Sequence, residues 1–224
     1  NQTENIDSEN YNEIKQIIQK ALFKLVNSQR PVIYAGSAIW HSKSHNEFIE
    51  FIEKINIPVV TAWNSNDLLW DDHNLYAGRP GSVGNRGGNF TVQNSDCLIV
   101  LGSRLNIRLV SYNWENFARD AYKIHIDIDP AELQRPFLKA DLPLVYDAKF
   151  ILTALNKKLK KDNKVFDFKE WLGWCIERKN KYPVVQEHHK DPSKPINAYY
   201  FISTLQTMLG GNDVIVCGNA TACI

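Results

Sequence analysis

Two aspartates at the end of a predicted strand are the side chains of this sequence best placed to bind a ligand. In the segment 121–133, AYKIHIDIDPAEL, three isoleucines alternate with His125, Asp127 and Asp129. The alternation predicts a strand that becomes polar at its carboxyl end, where open α/β sheets bind ligands. Pro130 then predicts a helix with Asp129 as its N-cap. Two interpretations stay open: both carboxylates bind a ligand, or Asp129 only caps the helix and Asp127 only solvates a loop.

Two further turns combine small and basic residues after apolar runs. Gly36–Ala38 would let main-chain N–H groups approach a phosphate, but a plain tight turn explains these residues equally well. Gly102–Arg104, with Arg108 four residues later, offers two guanidinium groups that suit a diphosphate or an adenine ring. Surface ion pairing is the alternative for each arginine. No G-x-G-x-x-G follows the first predicted strand, which argues against an ordinary dehydrogenase.

Catalytic and metal-binding signatures are absent from the sequence. The six histidines have no metal-ligand spacing to cysteine or acidic residues, and the four cysteines form no C-x-x-C pair. Asp67, Asp71 and Asp72 near His73 are interpreted as a solvated acidic turn. No Ser-His-Asp or Cys-His arrangement is recognisable. We therefore predict no catalytic residue and no metal ligand in this chain, and reduced thiols.

The elements that must position these turns alternate along residues 11–163. Amphipathic spacing predicts a first helix from Tyr11, and apolar runs predict strands at 31–35, 57–61, 97–101, 122–127 and 142–146. Helices separate the strands, one of them opened by a capping box at Ser44–Glu47. This order predicts an α/β fold, a doubly wound and mostly parallel Rossmann-like sheet. The glycine-rich segment 62–88 is interpreted as a long functional loop or a broken helix start.

The sequence changes character at both ends of this domain. Residues 1–10 predict a polar N-terminal linker, and residues 164–196 a helix and a polar linker. Residues 197–224 predict a helix and an apolar strand at 214–217. Because one βα unit cannot bury both faces of its strand, we expect a truncated start of a second α/β domain.

Composition excludes several classes of protein. The chain has 224 residues, 44% hydrophobic and 23% charged, with a net charge of +1, which fits neither a nucleic-acid binder nor a disordered chain. It has no apolar run of about 18 residues and no secretory signal. We therefore expect a cytoplasmic protein with no nucleic-acid and no membrane partner.

Six segments, taken in order, resemble the central domain of thiamine diphosphate-dependent enzymes of the acetolactate synthase group. They read RPVIYAGSAI, IPVVTAW, DDHNLYAGRPGSVGN, QNSDCLIVLGSRLNIR, YKIHIDIDPAEL and LPLVYDAKFIL, and the resemblance covers residues 11–159. In that group the domain binds FAD, or ADP or nothing in relatives, in a structural rather than a redox role. The resemblance implies nucleotide contacts at Gly36, Ser37, Ala38, Thr61, Ala62, Trp63, Pro80, Ser82, Val83, Gly102, Ser103, Arg104, Arg108, Asp127, Ile128, Asp129 and Asp147. Val83 replaces a histidine, Asn106 replaces an acidic residue, and Trp63 is bulkier than usual.

The carboxyl-terminal segment VIVCGNATACI resembles the start of the diphosphate-binding domain of the same group. This implies that Gly218, Asn219, Ala220 and Thr221 approach the diphosphate of thiamine diphosphate. The parent protein is then expected to be a homodimeric or homotetrameric transferase or lyase that uses thiamine diphosphate and Mg²⁺. It would decarboxylate a 2-oxo acid and join the product to an acceptor, with the thiazolium as electron sink.

This chain contains no Gly-Asp-Gly motif for Mg²⁺ and no domain that supplies the group's catalytic glutamate. We therefore expect it to be non-catalytic by itself, either a scaffold or a binder of FAD or ADP. The alternative is a stand-alone regulatory module of related fold that binds NAD or FAD.

Overall fold

A computed structural model of the chain describes residues 8–162, 166–216 and 218. The described residues form two compact units, of which the first ends at Asn180 and the second begins at Lys181. The predicted diphosphate contacts Asn219, Ala220 and Thr221 lie outside the described residues.

A parallel six-stranded sheet forms the centre of the first unit. Its strands are β1 (Pro31–Ala35), β2 (Val59–Thr61), β3 (Tyr76–Gly78), β4 (Cys97–Leu101), β5 (Tyr122–Asp127) and β6 (Leu142–Val145). They lie in the order β3-β2-β1-β4-β5-β6, and every neighbouring pair is parallel. The strand order reverses between β1 and β4, so the predicted doubly wound α/β sheet is confirmed.

Five of the six strands occupy predicted positions, and β3 was not predicted. It lies inside the glycine-rich segment, so the interpretation of residues 62–88 as a loop or a broken helix start is wrong for 76–78. Three residues are too few to show a period of two, although all three are buried. Burial of this short segment depends on its neighbour β2, and no local pattern reports that contact.

Helices cover both faces of the sheet. They are α1 (Ser8–Val26), α2 (Ala38–His41), α3 (His45–Ile55), α4 (Arg86–Gln93), α5 (Ile107–Val110), α6 (Pro130–Leu133), α7 (Ala148–Asp162) and α8 (Lys169–Lys181). Phe51 of α3 and Leu152 of α7 belong to the core on one face, and Val92 of α4 and Trp171 of α8 belong to the core on the other. Each such side chain contributes about 1.5–3 kcal/mol when it is fully buried. None of the described helices is long and apolar enough to cross a membrane.

The predicted capping box at the start of α3 does not form. Ser44 precedes the helix, but its side chain makes no bond to a helix amide. Its hydroxyl instead donates to Ile39 O at 3.2 Å and lies 2.8 Å from the hydroxyl of Ser42. Ser44 is fully buried after the end of α2, and its partners are a carbonyl of that helix and the Ser42 hydroxyl. Bonds to the preceding turn therefore replace the cap of α3.

The second unit contains α9 (Ala198–Met208) and a 3-10 turn at Glu187–Lys190. Asn197 caps α9, as its side-chain oxygen accepts from Tyr199 N at 2.9 Å. The strand predicted at 214–217 does not form over its described residues, and Val214 and Val216 are 85% and 91% exposed. The described residues of the second unit contain no strand with which this segment could pair.

Candidate functional site

The turns after β1 and β4 meet at the carboxyl edge of the sheet, with almost no space between their backbones. Gly36 N donates to Leu101 O at 2.9 Å, and Ala38 N donates to Gly102 O at 3.2 Å. A Cβ atom on Gly36 would lie 2.2 Å from Gly102 O, so only glycine fits there. Gly102 itself has a φ of +58°. The two turns form one continuous surface where the strand order reverses, which is where open sheets bind ligands.

The turn after β2 lies beside the turn after β1. Ala62 donates its main-chain N–H to the last residue of β1 at 2.9 Å, and Asn64 Nδ2 lies 3.4 Å from Ser37 Oγ. Thr61 and Ala62 are buried, whereas Trp63 is 42% exposed. The structure thus brings predicted contacts from β1 and β2 together and leaves part of the Trp63 indole accessible.

The glycine-rich loop after β3 is bound to the segment after β4. Both the main-chain N–H and the hydroxyl of Ser82 donate to Arg108 O, at 2.9 and 3.2 Å. Asn89 of α4 holds the loop from the other side, because its amide exchanges two hydrogen bonds with the main chain of Gly81, at 2.9 and 3.1 Å. Val83 at the tip is half exposed. Asn89 was not predicted, although its position within a helix beside the glycines was a usable signal.

A cleft of about 220 Å³ opens beside this loop. It is lined by Pro80, Gly81, Ser82, Asn89, Gln93 and Phe117, among others. Its walls combine main-chain and amide groups with buried apolar side chains. A cleft of this composition suits an organic ligand that carries both apolar and hydrogen-bonding groups.

The basic residues after β4 are exposed, and one of them is paired. Arg104 Nε lies 2.6 Å from Glu132 Oε1, and the Arg104 side chain is 75% exposed. An exposed ion pair stabilises the fold by about 0–1 kcal/mol, so a ligand phosphate can compete for this guanidinium. Arg108 is exposed, and its main-chain N–H is capped by Asn106. Ser103 is buried, and its hydroxyl has no hydrogen-bond partner among the described residues.

The predicted acidic contacts all bind main-chain groups. Asp127 accepts from Asp129 N at 3.0 Å, and Asp129 accepts from Ala131 N at 2.9 Å, so Asp129 is the N-cap of α6, as predicted. Asp147 accepts from two amides of the first turn of α7, at 2.8 and 3.3 Å. Ile128 is 60% exposed because β5 ends before it. Each aspartate uses one oxygen in these bonds, which leaves the other available to a ligand.

His125, a buried residue behind the site, holds the turn after β4, a role that was not predicted from the sequence. His125 of β5 is 2% exposed, and its Nε2 lies 2.9 Å from Ser103 O. Since a carbonyl only accepts, Nε2 carries the proton. Burial lowers the pKa of His125 below its usual value, which favours this neutral form at pH 7. The signal in the sequence was the position of His125 on the polar face of β5.

Among the described residues of the second unit, Gly218 is the one predicted diphosphate contact. Gly218 is exposed, and a Cβ atom added to it would meet nothing within 4 Å. The part of the chain that the structure describes also holds no group of three or more His, Cys, Asp or Glu side chains arranged for a metal ion.

Comparison with known proteins identifies the first unit. Residues 18–155 match the family described as thiamine pyrophosphate enzyme, central domain. The probable acetolactate synthase large subunit of Methanococcus aeolicus is 34% identical over 187 residues, 80% of this chain and 31% of that protein. The acetolactate synthase large subunit of Corynebacterium glutamicum is 31% identical over 201 residues, 89% of this chain and 31% of that protein. That of Lactococcus lactis subsp. lactis is 35% identical over 178 residues, 80% of this chain and 30% of that protein.

The chain thus spans about a third of the length of these relatives. The family match covers more than half of the chain and coincides with the sheet and its flanking helices. The chain belongs to the thiamine pyrophosphate enzyme family, in which residues 18–155 are a central domain.

Proposed function

We propose that the first unit is the nucleotide-binding central domain of a thiamine diphosphate-dependent enzyme similar to acetolactate synthase, and that it binds ADP or FAD. The observation that carries the proposal is the close contact of the turns after β1 and β4. There Gly36 leaves no room for a side chain, and the buried hydroxyl of Ser103 has no partner among the described residues. Glycine at this position lets the two turns lie in contact, so that Ser103 and Arg104 lie beside the turn after β1. A phosphate at this edge would supply the acceptor that the Ser103 hydroxyl lacks among the described residues.

The residues around this contact fit an adenine nucleotide. The phosphates would lie against Gly36–Ala38 and Gly102–Ser103, with Arg104 and Arg108 supplying positive charge. The remaining oxygen of Asp127 is suited to a ribose hydroxyl, as acidic residues are in other open α/β sheets. A nucleotide bound here would stabilise the domain. Its proposed role is structural, and it takes part in no redox reaction.

The reaction, its cofactors and the oligomeric assembly are proposals about the whole protein. We propose that it decarboxylates a 2-oxo acid, joins the product to an acceptor, uses thiamine diphosphate and Mg²⁺ as a transferase or lyase, and assembles as a homodimer or homotetramer. Of the turn that resembles the thiamine diphosphate site, only Gly218 is described, and it offers no cradle. We therefore assign no catalytic step to these residues.

The chain alone is expected to be inactive. With thiamine diphosphate and Mg²⁺ added, it should consume pyruvate no faster than a solution without protein. An enzyme-coupled assay of pyruvate checks this expectation, and consumption above that background would contradict it.

Calorimetric titration of the full chain with ADP, FAD and NAD tests the nucleotide proposal. ADP or FAD should bind, and Arg104→Ala should weaken that binding about tenfold, because it removes one charge-assisted hydrogen bond. Arg119→Ala is the matched control. Arg119 is also an exposed arginine paired with a carboxylate, that of Asp120 at 3.7 Å, but it precedes β5 and so lies at the opposite edge of the sheet.

The possible results separate the alternatives. Binding of ADP or FAD that Arg104→Ala leaves unchanged would show that the site is wrongly assigned. If the wild type binds none of the three nucleotides, the remaining interpretation is a scaffold domain that only joins other domains. Tight binding of NAD would favour a regulatory module of related fold.

A further inference from the structure

Three successive carbonyl groups in the turn after β4 are held by two side chains from β5 and the residues after it. His125 Nε2 donates to Ser103 O at 2.9 Å. Arg135, two residues beyond α6, donates to Arg104 O, and its second terminal nitrogen lies 3.4 Å from Leu105 O. The carbonyls of residues 103, 104 and 105 are therefore each held by a side chain of β5 or of the segment that follows it.

Glu132 connects this arrangement to the exposed arginine. Its carboxylate bridges Arg104 Nε at 2.6 Å and Arg135 Nη2 at 3.1 Å, and its main-chain oxygen accepts from Arg135 Nε at 3.2 Å. The Glu132 side chain is 11% exposed and that of Arg135 29%, against 75% for Arg104. Of the two arginines that Glu132 binds, Arg135 is therefore the more buried and is bound to the backbone, and Arg104 is the more exposed.

The orientation of the carbonyls determines the orientation of the amides. In a trans peptide the C=O of one residue and the N–H of the next point in opposite directions. The amides of Arg104, Leu105 and Asn106 therefore point away from His125 and Arg135. Within the described residues, none of these three amides donates a hydrogen bond. Free donors in sequence are suited to an anion.

The backbone of this turn is in an unfavourable conformation. Leu105 has a φ of +48°, a region that a leucine rarely adopts, whereas Gly102 at +58° is a glycine and adopts this region without strain. Arg135 binds the carbonyl of Leu105 itself and that of the residue before it. These bonds offset the cost of the left-handed conformation and hold the turn in one geometry.

We propose that Arg135 is a positioning residue for nucleotide binding: it fixes the turn 103–106 so that the amides and the Arg104 guanidinium are presented to the phosphates. This proposal rests on the nucleotide-binding function proposed above. Arg135 does not contact the nucleotide in this proposal. It affects nucleotide binding through the main chain of the turn 103–106 and through Glu132, which holds Arg104.

Titration of the full chain with ADP and with FAD tests the proposal. Arg135→Ala should weaken the binding of whichever nucleotide the wild type binds about tenfold, because the amides lose their fixed orientation. Arg178→Ala is the control, because Arg178 is similarly exposed (25%) and paired with Glu177 at 2.6 Å, but belongs to α8. It should leave the affinity unchanged. Arg135→Lys keeps the charge beside Glu132 and should give an intermediate affinity, and it carries the test if the alanine variant does not fold.

Chemical rescue provides a second measurement, because added guanidinium should restore binding only if the guanidinium group of Arg135 itself orients the turn. Guanidinium at tens of millimolar should restore the nucleotide affinity of Arg135→Ala, whereas the same concentration of sodium chloride should not, as it only screens charge. A loss of affinity that guanidinium does not restore would overturn the proposal.

Two failures remain distinguishable. If the wild type binds neither nucleotide, the proposed function fails and the role of Arg135 with it. If the wild type binds one and Arg135→Ala binds it equally well, only the role of Arg135 is overturned.

Discussion

Replacing Gly36 with alanine should destabilise the first unit by about 3 kcal/mol, near the upper end for overpacking a close contact. The added Cβ atom would lie 2.2 Å from Gly102 O and 2.6 Å from Ser103 Cα. Both are backbone atoms of a turn that is itself bonded to Ala38 of α2 and to Ile126 of β5, so neither can move without breaking those hydrogen bonds. Urea unfolding followed by circular dichroism measures the loss.

Gly173→Ala is the matched control for this substitution. Gly173 lies within α8, and a Cβ atom there would meet nothing within 4 Å. Alanine should therefore stabilise the helix, by about 0.5–1 kcal/mol, because it reduces the backbone entropy lost on folding. If Gly36→Ala costs no more than a few tenths of a kcal/mol, the turns after β1 and β4 can separate, and the cradle proposed for a phosphate is not rigid.

The sheet is the part of the fold that the sequence predicts best. The predicted bounds of β1, β4 and β5 agree with the structure, because each is a run of apolar or alternating residues whose burial shows in its own composition. By contrast β3 is buried through its pairing with β2 and its packing against α4, and Ser44 bonds to Ile39 O of α2 instead of to an amide of α3. Such effects depend on contacts between elements, which the pattern within one element does not include.

The candidate site divides in the same way. The sequence predicts that the turns after the strands meet at one edge, since the carboxyl ends of parallel strands do so. It cannot predict which atoms each turn uses. Asp127 and Asp147 bind nearby amides, whereas Arg104 is paired with Glu132, 28 residues away. Likewise Arg135 gives no signal of its own, because its partners are main-chain carbonyls 30 residues away.

Replacing Trp171 with alanine should destabilise the first unit by about 4 kcal/mol, the usual cost of removing a buried tryptophan. Trp171 belongs to α8, outside the residues 18–155 that match the family. It is nevertheless only 7% exposed, and its Nε1 donates to Pro31 O at 2.9 Å. The substitution leaves a cavity under the sheet and removes the donor from a buried carbonyl at the start of β1. Thermal unfolding and urea unfolding both measure the effect.

Two further variants separate the causes. Trp171→Phe keeps an aromatic ring in the core but loses the donor, so it should cost about 1–2 kcal/mol plus a small packing term. Trp174→Ala removes the ring that stacks on Trp171 at 5.1 Å between centroids, but Trp174 is only partly buried, so its loss should be smaller than that of Trp171. If Trp171→Ala and Trp174→Ala each cost no more than a few tenths of a kcal/mol, α8 does not stabilise the sheet, and the folded domain ends near α7. If Trp171→Ala costs the expected amount, the stable domain includes α8, because the face of the sheet that carries Val32 and Tyr34 has this helix in its core.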